Sequence, residues 1–504
     1  MATRVATQPT APPKLSKSHG RPISAIRDGV SFAGCHKLPV LLASLLVLVP
    51  CFWHQRIEAG DLSSHLYNAW LTELIQQGKG PGLFLSHQWN NVLFDWMLSR
   101  TAGLFGYAAA EKICVSVAVL GFFWGAFALV SAASRRAPWF LTLALGMFAY
   151  GWTFNMGFFN FYLSLGLAFF GLAIVWRGHR FDFLALFVLM PLMWLAHPLG
   201  AAWFSGVAVY IALARVLRPK QHILLLIAGI GMAAAISAYL RSHYEVHWSS
   251  GAFYRLNGFD QLAILSKSVY WLSALLAVAA LTFFVIEAFS VRERSEFWKE
   301  AVLAVELYIV IWFSLLVIPN TISLPQYEAP IAFVTTRLSL ALGVVACCAL
   351  ASMRPRLWHV ATFAAVAAFF FLALFLDTGR MNEMEDQAEK LVSTLPEGQR
   401  VVNMGILLPG SGWPMWHIVD RSCIRRCFVY SNYEPASKQF RVRGEPGNGI
   451  VVTDSDTVRA MQFGEYVVGE QDLPLYGVTP CAGSGLKLCG RMLRADERNG
   501  IPAK

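Results

Sequence analysis

Apolar runs of membrane length recur from residue 38 to 376, separated by short polar stretches. Each is long enough to approach or cross a hydrocarbon core about 30 Å thick. Segments near 38–53, 112–133, 138–154, 158–176, 182–197, 200–217, 222–240, 264–289, 300–318, 337–352 and 357–376 give eleven expected spans. The pattern changes after the first of them. Between residues 54 and 111, Leu62, Leu66, Trp70 and Leu74 recur every fourth position, the spacing of one helix face. A second amphipathic helix is expected within Trp89 to Gly106, where Asn90, Asn91, Asp95, Ser99 and Arg100 interrupt the apolar run. The fold class is therefore an α-helical polytopic membrane protein with polar ends.

Charge orients the spans. Arg135/Arg136, Arg177/Arg180, Arg215/Arg218/Lys220, Arg292/Arg294/Lys299 and Arg354/Arg356 are basic loop clusters, and all five fall on one side of the eleven-span arrangement. Residues 1–37 carry six Lys/Arg against one Asp with no apolar period, and read as a disordered cytoplasmic tail. The first apolar run then reads as an uncleaved signal anchor. The net charge of +10 is thereby a topology signal, and nucleic acid is not an expected partner. The opposite, outer side holds the large first loop 54–111, a turn at 153–160, the His197-Pro198 turn, loops at 241–263 and 319–336, and everything after 377.

Residues 377–504 are expected to form a separate small α/β domain. Glu383 to Leu395 reads as a helix ended by Pro396-Glu397-Gly398, with strands at Arg400 to Leu408, Tyr466 to Gly469 and Leu486 to Leu493. Four of the nine cysteines lie here, and an even number outside the membrane suggests two disulfides among Cys423, Cys427, Cys481 and Cys489. Their spacing is not that of a zinc pair. The chain has no Asn-x-Ser/Thr sequon, which points to a bacterial periplasm rather than an endoplasmic lumen.

Candidate chemistry gathers outside. Asp61 follows the first span and opens the amphipathic helix, where an acid is either a base for interfacial chemistry or an N-cap. Glu58 is the second acid, and a ligand if a divalent ion takes part. His65 lies one turn on, placed to touch a sugar hydroxyl or to pack at the interface. Arg100, Lys112, Arg241, Arg255 and Arg337 are cations on the side where the topology rule does not require them, so a bound anion is one reason for their presence; the other is a solvated or snorkelling charge.

The stretch Gly60-Asp61-Leu-Ser-Ser-His65-Leu-Tyr67, then Gly78-Lys-Gly80-Pro81, the interfacial Leu93 to Leu104 and Phe105-Gly106 resembles the GT-C glycosyltransferases, integral-membrane enzymes that use polyprenyl-phosphate sugars. The resemblance covers roughly 38–240 in pattern and the remainder in architecture only. It implies a lipid bilayer, a polyprenyl-phosphate sugar donor and a glycan or lipid acceptor as partners, Asp61 as the base, and a divalent cation (Mg or Mn) as an optional cofactor. The chain departs from the family pattern at Leu62, which stands where many members have a second acid, and at Lys112, where many have Arg. A polytopic transporter and a non-catalytic envelope-assembly protein are the alternative readings. The first would carry polar groups at mid-membrane on broken spans, and the second would place its working part in the C-terminal domain.

Overall fold

The computed structural model describes residues 36–178, 180–265, 267–290, 294–353, 355–481 and 487–497. The expected tail lies outside the described residues apart from its last two positions. The side chains of Arg255 and of the Arg292/Arg294/Lys299 cluster are also outside them.

Helices occupy the eleven apolar segments, but not as eleven full spans. Among the described residues, six helices are long and apolar enough to cross a membrane: Tyr107–Ser134, Phe159–Arg177, Pro198–Val216, Pro219–His243, Ser268–Ile286 and Leu357–Ser393. Lys37–Phe52, Phe183–Ala196, Ala301–Val317 and Val334–Leu350 are apolar but shorter. The segment expected at 138–154 is broken into a 3-10 turn Trp139–Leu141 and helices Thr142–Ala149 and Trp152–Asn155. The break has a local cause. The Asn155 side chain donates to the carbonyls of Tyr150 (2.8 Å) and Gly151 (3.1 Å) and so satisfies backbone acceptors just after helix Thr142–Ala149.

The closest helix pair is Tyr107–Ser134 against Phe159–Arg177. A Cβ on Gly125 would come within 2.4 Å of the Gly166 carbonyl oxygen, so two glycines permit the backbones to touch, as membrane helices require. Large apolar side chains such as Leu41, Leu45, Ile223, Ile227, Leu275 and Phe283 point away from the bundle. An exposed apolar surface of that extent is suited to lipid.

The predicted sides are gathered at two ends. Arg136 donates to the carbonyls of Ala351 and Met353, and Arg215 to those of Val175, Trp176 and Arg177, so several basic clusters share one end. At the other end Val92 N donates to Leu195 O, Thr153 Oγ1 to Gln261, and strand Glu245–His247 pairs antiparallel with Thr321–Ser323.

The C-terminal part is built on this second end. Its helix is not separate: Leu357–Ser393 is one helix of 37 residues, about 55 Å long at 1.5 Å per residue. Nothing between Leu376 and Glu383 stops it, since Gly379 alone is tolerated in a helix. A four-stranded mixed sheet follows, in the order Leu488–Met492, Leu475–Pro480, Arg400–Asn403, Phe428–Val429. Leu475–Pro480 is a strand that the apolar pattern did not pick out, whereas 466–469 lacks one. Cys423–Cys427 and Cys481–Cys489 are disulfides.

Candidate functional site

The loop at 54–111 is roofed by the C-terminal part. Strand Leu83–Leu85 pairs antiparallel with Val442–Gly444. Helix Leu62–Gln76 is buried at every position from Leu62 to Thr72, rather than on one face alone. Its polar face is covered: Ser63 Oγ donates to His417 O (2.9 Å), Val429 N donates to the Tyr67 hydroxyl (2.9 Å), and Asn68 and Asn432 exchange side-chain hydrogen bonds. The second helix, Leu93–Phe105, is about 20 Å long, too short to cross, and buries Phe94, Leu98 and Ala102 at four-residue spacing.

Gly60 and Asp61 are locked to the broken segment. Gly60 N donates to Asn155 O (2.7 Å) and Asp61 N to Met156 O (3.1 Å). A Cβ on Gly60 would lie 2.7 Å from Met156 O, and Gly157 adopts φ +83° with its missing Cβ facing Asp61 N. The break at 150–157 thus fixes where Asp61 sits.

Beside it lies a cavity of about 240 Å³, lined by Glu58, Asp61, Trp152, Trp413, Trp416 and His417 among others. Asp61 holds the N-cap position of helix Leu62–Gln76, yet its side chain makes no capping hydrogen bond. Its carboxylate instead faces three groups. His417 Nε2 lies 3.7 Å from Asp61 Oδ1, Tyr433 presents its hydroxyl, and Arg337 acts on it electrostatically. Burial and the surrounding acids push the Tyr433 hydroxyl well above its ordinary range, so it stays a neutral donor.

Arg337 is held over the Phe158 ring (3.7 Å), with Nη1 3.5 Å from His197 Nε2 and its Nε without a hydrogen-bond partner. Among the described residues no carboxylate lies within ion-pair distance of it. A guanidinium in that condition has no counter-charge within ion-pair reach.

Glu58 occupies a different environment three residues away. It accepts from Asn382 Nδ2 (2.9 Å) and lies among Glu111, Glu385, Arg56 and Arg421. Burial, followed by the charge of Glu385, holds its carboxyl well above the usual range. Arg421 pairs with Glu385 and Glu111 and donates to Ile57 O, while Arg56 pairs with Asp386 (2.5 Å) and Glu389 (2.5 Å).

The remaining expected residues separate from the cavity. His65 is 3% exposed and pairs through Nδ1 with Asp95 (2.8 Å), between the rings of Phe94 and Phe440. Burial opposes its charge, but Asp95 and Glu434 outweigh this and push its pKa up to about 9. It is a buried cation and does not line the cavity. Lys112 donates to Cys51 O (2.8 Å) and His54 O (3.0 Å) and ties off the C-terminal end of helix Lys37–Phe52. Arg100 and Arg241 are exposed and away from the cavity lining. The Arg255 side chain lies outside the described residues.

The donor set does not suit a divalent ion. Glu58, the expected second ligand, is held by Asn382 with its carboxyl pushed well above the usual range, and among the described residues no group of three or more His, Cys, Asp or Glu side chains is arranged to hold a metal.

The chain matches no protein-family model, no curated protein and no solved structure.

Proposed function

We propose that the chain is an inverting membrane glycosyltransferase that moves a sugar from a polyprenyl-phosphate donor to a glycan or lipid acceptor. Its working end would be extracytoplasmic, on a bacterial inner membrane with the N-terminus inside and the shorter helices completing the bundle. The reading is supported above all by one juxtaposition. An exposed-edge carboxylate, Asp61, faces a tryptophan-lined cavity with the unpaired guanidinium of Arg337 close by.

The chemistry follows from the parts. Asp61 takes the proton from the acceptor hydroxyl as that oxygen bonds to the anomeric carbon. The bond from that carbon to the phosphate oxygen breaks, and the phosphate departs with the electron pair. Arg337, beside His197, meets the growing negative charge. Trp152, Trp413 and Trp416 offer apolar faces for a sugar ring, and the donor's lipid tail lies along the exposed apolar helices.

The test is transfer by the purified protein in lipid, with a panel of polyprenyl-phosphate sugars and the surface glycans of a deletion strain to identify the acceptor. Arg337→Ala is expected to weaken donor binding about 10-fold, the scale of one charge-assisted contact. Arg356→Ala, at the opposite end, is expected to leave it unchanged. Equal effects of the two, or no transfer from any polyprenyl donor, would end this reading.

A further inference from the structure

Asp61 and His417 are 356 positions apart in the chain, and the C-terminal part delivers the histidine to the acid. We propose that His417, braced by Asp420, is a positioning residue for Asp61, so that the transfer site is completed by the C-terminal domain. This deepens the glycosyltransferase reading and rests on it for the identity of the reaction.

The geometry forms an ordered line. Asp420 Oδ2 lies 3.0 Å from His417 Nδ1, and His417 Nε2 lies 3.7 Å from Asp61 Oδ1. A carboxylate on Nδ1 fixes the ring's orientation and leaves Nε2 directed at the acid. Asp420 is fully buried and its Oδ1 has no hydrogen-bond partner, so the contact of its Oδ2 with His417 Nδ1 is its closest polar contact. Asp61, by contrast, is 17% exposed in its side chain and borders the cavity. The histidine backbone is anchored on the helix that Asp61 begins, through Ser63 Oγ to His417 O. The Cys423–Cys427 disulfide pins the C-terminal end of the short helix Asp420–Cys423, which begins with Asp420.

The absent cap bond supports the same assignment. An Asp at an N-cap position normally turns toward the free N–H groups of its helix. Here it is turned toward His417 and Tyr433 instead. The groups around His417 are Asp61, Asp420, His65 and the Tyr433 ring; those around Asp61 add Arg337 and Glu434. Burial opposes the charged imidazole, and Asp420 and Asp61 together raise it above its ordinary value. The imidazole edge thereby faces the carboxylate at ion-pair distance until the acceptor arrives.

Two measurements test this. In the transfer assay, His417→Gln should lower kcat about 10- to 100-fold, the cost of a misplaced catalytic group, with the donor KM within about 2-fold. The pH dependence of its kcat/KM should change, because the charged imidazole that faces the carboxylate is gone. Asp420→Asn should give a smaller change in the same direction. A kcat loss with an unmoved pH profile would mean that His417 only supports the fold. The second measurement needs no turnover. Histidine C2 hydrogen–deuterium exchange, read by mass spectrometry on the full chain in lipid, titrates His417 itself. Asp61→Asn and Asp420→Asn should each lower the His417 pKa, and an unchanged value in Asp61→Asn would overturn the pairing. Should the wild type transfer no sugar at all, the glycosyltransferase reading fails while the exchange titration still decides whether His417 and Asp61 are coupled.

Discussion

Glu58 and Asp61 are three residues apart and border the same cavity, yet they belong to networks of opposite kind. The Glu58 network is sealed. Glu111, Glu385 and Glu58 share Arg421 and Arg56 with almost no access to solvent, and the groups come from the first loop, the helix Tyr107–Ser134, the long helix Leu357–Ser393 and the C-terminal domain. The Asp61 network is open on one side. Its acid faces a histidine, a tyrosine and an arginine, with the cavity on its free flank. The sealed network joins parts of the chain, whereas the open one leaves a carboxylate free to react. A buried cluster of paired charges holds geometry at the expense of desolvation; a carboxylate with an accessible edge is available to a substrate.

That contrast gives the largest expected effect to Arg421. Arg421→Ala leaves Glu111 and Glu385 buried without their shared cation, a loss of about 3–5 kcal/mol. The result should be a large fall in Tm and loosened docking of the C-terminal domain, read by limited proteolysis between residues 393 and 400. A variant as stable as the wild type would show that the sealed network joins nothing.

The next effect belongs to Asp61. Asp61→Asn should reduce transfer by about 10²-fold or more, the contribution of a positioned base. Because its side chain makes no cap bond, neither Asn nor Ala should cost helix stability, and Tm should stay within a degree or two for both. Full transfer by Asp61→Asn would move the chemistry elsewhere, and a large Tm loss in Asp61→Ala would restore the capping role.

How these two networks relate to the sequence is instructive. Asp61, Glu58 and Arg337 were legible because each is a charge that the surrounding apolar pattern does not need. The structure brings Asp61 and Glu58 to one cavity with Arg337 beside it, while Arg100 and Arg241 remain in solvent. His417, Asp420, Arg421 and Glu385 were not legible, since their partners lie hundreds of positions away and no periodicity records such a contact. Glu111 did leave a trace, an acid beside Lys112 at the start of an apolar helix, where a charge is costly without a partner. The helices themselves follow from apolar periodicity. The 37-residue helix was divided in reading because composition changes at Asp377, and composition does not determine where a helix ends. Of the two readings of His65, contact with a sugar or packing, the structure shows packing, against Asp95, Phe94 and Phe440, a residue encoded about 375 positions later.

Glu58→Gln should have the smallest effect, and it sharpens the contrast most. Glutamine keeps the shape and can still accept from Asn382, and burial with the Glu385 charge already favours the protonated carboxyl at Glu58. Transfer should fall less than about 5-fold and Tm near pH 6 should hardly change. The pH dependence should differ in a definite direction. In the unfolded chain this carboxyl loses its proton above its ordinary value of 4.5, whereas in the folded chain it keeps it to much higher pH. The native state then binds the extra proton, so the wild type loses stability as pH rises above 4.5. Glutamine carries no such proton, so Glu58→Gln should gain on the wild type as pH rises from 5, as read by thermal unfolding across a pH series. A parallel pair of curves would mean that Glu58 is ionised in the fold. It would then be a second negative charge on the cavity beside Asp61, and the two networks would no longer be opposites.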